Sequence, residues 1–135
     1  MGEFGQFSCL SDTSANKLCS GGGDLNELVM ETDSEALMQA GVKLTKVNWQ
    51  NFKEGISDHF INHQVGIHHR DFLYRELELD LTKDHTTFDR YGNTGSAALP
   101  LTLFKASQKF RAGDKIKLMG IGSGLHNLVM ELKWS

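Results

Sequence analysis

The sequence predicts an α/β fold, a mixed five-stranded sheet with a buried helix layer. Three observations carry this. Apolar stripes at helical spacing alternate with short β-branched and aromatic runs. One segment in the second half is almost wholly apolar, and two apolar runs close the chain with a glycine-rich turn between them. Helices between strands imply crossovers and parallel pairing. The last two runs are close enough to pair antiparallel.

Residues 1–32 read as irregular, with a weak extended piece at 6–10 and a flexible break at Gly21, Gly22 and Gly23. Thr32, three residues before Glu35, has the capping-box form. The helix that follows carries two adjacent stripes, Leu37, Ala40, Leu44, Val47 and Met38, Val42, Trp49, Phe52. So wide an arc is covered on more than one side. Gly55 is its stop signal. A short strand is expected at 59–64, a helix at 67–79 and another strand at 86–88, where Thr86, Thr87 and Phe88 favour a sheet. The apolar helix covers 96–110, with Pro100 in its first turn, where a missing N–H costs nothing. It is solvated only toward Lys105, Lys109 and Arg111. After a turn at 112–114, strands are expected at 115–121 and 128–134.

The 135 residues form one predicted domain, 1–135, with residues 1–4 read loosely as a cloning scar. Fourteen basic against seventeen acidic side chains leave a net charge of −3. That balance excludes a generally basic nucleic-acid coat. No apolar run approaches the ~20 residues of a membrane span, and the first ten residues lack the pattern of a secretory signal. Two cysteines make no disulfide framework. The expectation is a soluble, reducing, cytoplasmic protein.

His63 ends a predicted strand, and Asn93 ends the next one. In parallel sheets, sites form at the carboxyl ends of strands. Both side chains can donate to an oxygen that becomes negative. The plainer readings are a satisfied core histidine and an asparagine in a turn or helix cap. Gly122-Ser123-Gly124 follows an apolar strand and reads as an oxyanion-binding backbone or a tight turn. A strand rather than a helix follows it, which excludes a dinucleotide loop. Six histidines raise a metal question. His59 and His63 lie four apart but lack the intervening Glu of a zinc helix, and no carboxylate or cysteine cluster completes a set, so no metal is expected. The order Cys19, His63, Asn93 also fits a thiol hydrolase, although neither Cys9 nor Cys19 has a clear activating neighbour.

The stretches FINHQVGIHH, FDRYGNTGSAALPLTL and GDKIKLMGIGSGLHNLVMELKW resemble the C-terminal half of ketoacyl-ACP synthase III enzymes of the thiolase superfamily. SANKLC, METDSEALMQAGVKL and MGIGSGLHNLVMEL are most similar to the head-to-head acyl-condensing enzymes of long-chain olefin synthesis. The resemblance implies a thiolase-like half-fold and the Claisen condensation of acyl thioesters. It implies that His63 is the catalytic histidine and Asn93 the catalytic asparagine. The Ser123 N–H, between Gly122 and Gly124, would serve the oxyanion hole. No cofactor is implied beyond acyl-CoA or acyl-ACP as substrate. The family's His-Gln-Ala-Asn stands here as His63-Gln64-Val65-Gly66.

The family's nucleophilic cysteine belongs to its first half. The expected partners are therefore a missing N-terminal, cysteine-bearing half or a second copy, and an acyl carrier protein is a further candidate. A non-catalytic assembly module derived from such an enzyme is the alternative reading.

Overall fold

The computed structural model describes residues 2–24, 27–52 and 56–135. Ten elements follow in order: β1 Gly2–Ser11, β2 Cys19–Asp24, β3 Glu27–Thr32, α1 Ser34–Asn51, β4 His59–Asn62, α2 Ile67–Leu77, the single turn α3 Phe88–Tyr91, α4 Ala98–Ala106, β5 Lys115–Gly122 and β6 His126–Trp134. The main sheet has four strands in the order β1-β6-β5-β4. β4 pairs parallel with β5, while β5–β6 and β6–β1 are antiparallel. The sheet is mixed, as expected, but it holds four strands rather than five.

The fifth strand, expected at 86–88, is a helical turn preceded by a single bridge. Asp84 pairs with Phe60 in parallel, and the His85 N–H donates to the Phe60 carbonyl. Beyond that point Gln64 takes the N–H groups of Thr87 and Phe88 at 2.7 and 3.2 Å. Those groups are no longer available to a ladder, so side-chain capture overrides local β-propensity. The chain start differs in the opposite sense. The extended piece expected at 6–10 is the middle of a ten-residue strand along β6. The glycine run forms half of a separate hairpin, β2–β3. Gly23, paired with Leu28, has φ +99, and a Cβ there would meet the Glu27 carbonyl oxygen at 1.9 Å.

Helix α1 starts one residue later than the capping box predicts. Asp33 is the N-cap, accepting from the Ala36 N–H at 3.0 Å, because Thr32 is still in β3 with its hydroxyl on Cys19 Sγ. The expected stop, Gly55, lies outside the described residues. The deepest face of α1 is partly polar: Gly41, Val42, Thr45, Asn48 and Phe52 are buried, whereas Val47 is exposed. Asn48 Nδ2 donates to Asn127 Oδ1 at 2.7 Å, and its Oδ1 accepts from Ser8. Asn127 Nδ2 donates to Thr45 Oγ1 and to the Gly120 carbonyl. This closed network rivets α1 to β1, β5 and β6. Gly41 permits the approach, since a Cβ there would meet Ile121 Cδ1 at 2.4 Å.

Two apolar clusters lie on opposite faces of the sheet. Val42, Phe60, Leu73, Tyr74 and Met119 join α1 and α2 to one face. Ile61, Ala106, Ile116, Leu118 and Leu132 join α4 to the other. Only one side of α4 is covered. Ala98, Thr102 and Ala106 are buried, whereas Phe104 is 71% exposed.

Lys117 is buried within the first layer. Its Nζ pairs with Glu131 at 2.9 Å and lies 3.7 Å from the Phe52 ring centre. Breaking one side of a buried pair costs more than replacing both. Lys117→Met should therefore lower unfolding stability by roughly 3 kcal/mol, and Lys117→Met with Glu131→Leu should recover most of it. Urea unfolding of the two variants checks this.

Candidate functional site

β4 and β5 run parallel, so their carboxyl ends share one edge of the sheet. His63 follows β4 there, its N–H still bonded to the Met119 carbonyl at 2.8 Å. At the end of β5, the turn at 122–125 leads into β6. Leu125 and Asp12 exchange backbone hydrogen bonds of 2.8 and 2.9 Å, which clamp the turn to the end of β1. Gly124 has φ +133, and a Cβ there would meet His126 Nε2 at 2.7 Å. His63 and the Gly122-Ser123-Gly124 turn therefore lie on one edge, as the strand order requires.

The segment that carries Asn93 is anchored near this edge by a different route. Gln64 is fully buried, and its Nε2 donates back to the Asn62 carbonyl at 2.7 Å while its Oε1 holds Thr87 and Phe88. On the far side of the loop, the Thr87 and Thr102 hydroxyls meet at 2.6 Å, and Thr102 bonds back to the Ala98 carbonyl. The segment carrying Asn93 is thus tied at both ends, next to the residue that follows His63. Asn93 itself is exposed, and its Oδ1 accepts from the Gly95 N–H at 2.9 Å, an Asx-type turn. Gly92 and Gly95 adopt φ +65 and +59 around it.

The histidines separate by role. Burial lowers the pKa of half-buried His63. His69, in the first turn of α2, is pushed down to about 4 by burial and then by His63. Both are neutral imidazoles at neutral pH. His59, at the other end of β4, bonds to Asp114 at 3.0 Å and to His85 at 3.0 Å, so it does not pair with His63. Among the described residues, no group of three or more His, Cys, Asp or Glu is placed to hold a metal.

The cysteines are both free. Cys9 lies in β1. Cys19 opens β2, with Thr32 and Ser123 hydroxyls 3.5 and 3.7 Å from its sulfur, and these lower its pKa. Sequence reasoning missed the Cys19–Ser123 contact, because it depends on a hairpin that glycine composition disguises. Neither cysteine opens a helix, one of the settings that activate a thiol.

The model of the family described as 3-oxoacyl-[acyl-carrier-protein] synthase III C-terminal matches residues 38–134. The chain belongs to this family. The acyl-CoA:acyl-CoA alkyltransferase of Xanthomonas campestris pv. campestris is 34% identical over 132 residues, covering 92% of this chain and 38% of that protein. The β-ketoacyl-ACP synthase III of Clostridioides difficile is 31% identical, covering 78% of this chain and 30% of that one. Cerulenin-bound OleA from Xanthomonas campestris superposes with a TM-score of 0.88 at 32% identity, covering 98% of this chain and 40% of that one. FabH from Xanthomonas oryzae gives 0.87, also at 32% identity, with coverage of 98% and 40%. The chain therefore has the thiolase-like α/β half-fold and spans about two-fifths of the length of these solved relatives. No helix among the described residues is long and apolar enough to cross a membrane.

In this family member, the residue where the motif's second asparagine would stand is Gly66, which caps α2 without a side-chain hydrogen bond. The first-turn donors of α2 thus lack the help an asparagine could give.

The buried histidines dictate a pH response. An imidazole that titrates near 6.5 when unfolded and near 4 when folded makes the unfolded chain bind more protons between those values. Its contribution to stability is complete above 6.5 and is lost as the pH falls toward 4. His85, also pushed to about 4 by burial, then by His59 and Lys109, adds to the same window. Thermal melts should show Tm falling across this window, and His69→Leu should flatten the fall.

Proposed function

We propose that this chain is the half of an acyl-thioester condensing enzyme that holds the second substrate, with His63 and Asn93 as donors to its thioester oxygen. The observation that carries this is the Gln64 tie, which joins the end of the His63 strand to the start of the Asn93 segment. In the reaction, a cysteine on the other half exchanges its thiol for the thiol of the first acyl thioester. The second thioester becomes a carbanion by losing an α proton to a base or CO2 from an α-carboxyl group, and this carbanion attacks that acyl carbon. A carbon–carbon bond forms and the cysteine thiolate leaves. While the second thioester is an enolate, its oxygen carries negative charge, and two neutral donors are suited to it because neither is neutralised by a charge of its own. The Ser123 N–H, in the turn of Gly122 and Gly124, serves the oxyanion of the acyl-enzyme. Acyl-CoA or an acyl carrier protein delivers the substrates, no further cofactor is needed, and the reaction belongs in the cytoplasm.

Surface properties support the need for a second half. The 15.1 kDa chain exposes 8430 Å², against roughly 7,100 Å² for a compact monomer of that mass. Leu28 and Met30 on the β2–β3 hairpin and Phe104 on α4 are each more than two-thirds exposed. An isolated two-stranded hairpin is marginal in water, so a partner is expected to cover it. That partner is the cysteine-bearing half or, as a dimer, a second copy.

The alternative is an assembly module without catalysis, and co-expression with a cognate cysteine-bearing half separates the two. Condensation of acyl thioesters, reduced 10²–10³-fold by His63→Ala, supports the catalytic reading. A stable complex with no condensation supports the module. A thiol hydrolase is disfavoured, because the described neighbours of Cys19 are hydroxyls rather than an imidazole base. In sedimentation, the chain alone should self-associate or bind a hydrophobic dye. A dye-free, monodisperse monomer would contradict the exposed interface.

A further inference from the structure

A cavity of about 10 Å³, enough for one water, lies at the sheet edge between β4, β5 and α2. His63, His69, Asn62, Thr45 and Gly120 contribute to its wall. Thr45 and the Gly120 carbonyl are already engaged by Asn127. Two other groups are not. His69 is 8% exposed, and among the described residues its buried Nδ1 has no hydrogen-bond partner. Asn62 is 2% exposed, and its Nδ2 makes no well-formed hydrogen bond. It leans only on the Tyr74 hydroxyl, which itself donates to Asp84. Buried polar atoms left in this condition are costly and are ordinarily met by an ordered water.

We infer that the cavity holds one water that accepts from Asn62 Nδ2 and donates to both His69 Nδ1 and the cavity-side nitrogen of His63, making His69 a positioning residue for His63. A water has two donors and room for an acceptor, so the three partners fit its valence. The consequence is a fixed tautomer. If the inner nitrogen of His63 accepts, its proton sits on the outer nitrogen, the one free to donate to a thioester oxygen. Burial keeps His69 neutral, which leaves one ring nitrogen an acceptor at working pH, and the inferred water assigns that role to Nδ1. This role rests on the proposed function of His63, but the water site itself does not.

Three measurements test it. A high-resolution crystal structure of the unmodified chain should show one water within hydrogen-bond distance of both imidazoles. A dry cavity, or a water touching only one ring, overturns the inference. Nitrogen-15 spectra should show His63 as a single tautomer in the unmodified chain, a mixture in His69→Leu and a single tautomer again in His69→Asn, whose side-chain oxygen can replace Nδ1. Unchanged His63 signals in folded His69→Leu also overturn it. In the enzyme completed with its cysteine-bearing half, His69→Leu should lower kcat roughly tenfold, the worth of one hydrogen bond, with KM unchanged, and His69→Asn should restore it. A tautomer change without condensation in any completed enzyme leaves the water site standing and removes the condensing role. Condensation with an unchanged tautomer does the reverse.

Discussion

One buried carboxamide organises this half-fold. Gln64 donates to the strand it leaves and accepts from two N–H groups of the segment it meets. A fully buried amide without partners would be costly, so the arrangement is strongly enforced. Gln64 follows β4 where that strand ends at Asn62, takes the N–H groups at the start of the helical turn 88–91 and so anchors the beginning of the segment that carries Asn93. The Thr87–Thr102 contact then joins the same segment to α4. The route from sequence to site passes through these polar contacts more than through the apolar core.

The core follows the same logic on the other face of the sheet. The Asn48–Asn127 network sits where a helix with two apolar stripes would be expected to bury hydrocarbon. It fixes the depth and register of α1 against the strands, and the small cavity beneath His63 borders it at Thr45 and Asn127. Polar groups in a low-dielectric interior are directional, so they specify one packing where aliphatic contacts would tolerate several. The exposed side of α4 and the β2–β3 hairpin show the opposite condition, with apolar area that no described residue covers.

Much of this was legible in the residues. The helical periodicity of 37–52 and the two closing strands predicted the extent of their elements closely, although α1 buries Thr45 and Asn48 and exposes Val47 of its first apolar stripe. The main departures all involve long-range capture. Thr86–Phe88 reads as strand until Gln64 removes its donors. Gly21–Gly23 reads as a flexible break until residues 27–32 pair with it. Thr32 reads as a cap until Cys19 holds it in the hairpin. His63, Asn93 and the Gly122-Ser123-Gly124 turn were singled out by residue type and order, whereas His69 was not. Its place in the wall of the cavity beside His63 depends on how α2 docks, which no local pattern records.

The central claim is that an imidazole and a carboxamide act on one oxygen. A double-mutant cycle in the completed enzyme tests this most directly, measuring acyl-thioester condensation for His63→Ala, Asn93→Ala and the pair. If both groups serve the same enolate, the double variant loses little more than the worse single variant. Losses that simply multiply, or an Asn93→Ala enzyme with full activity, would contradict it.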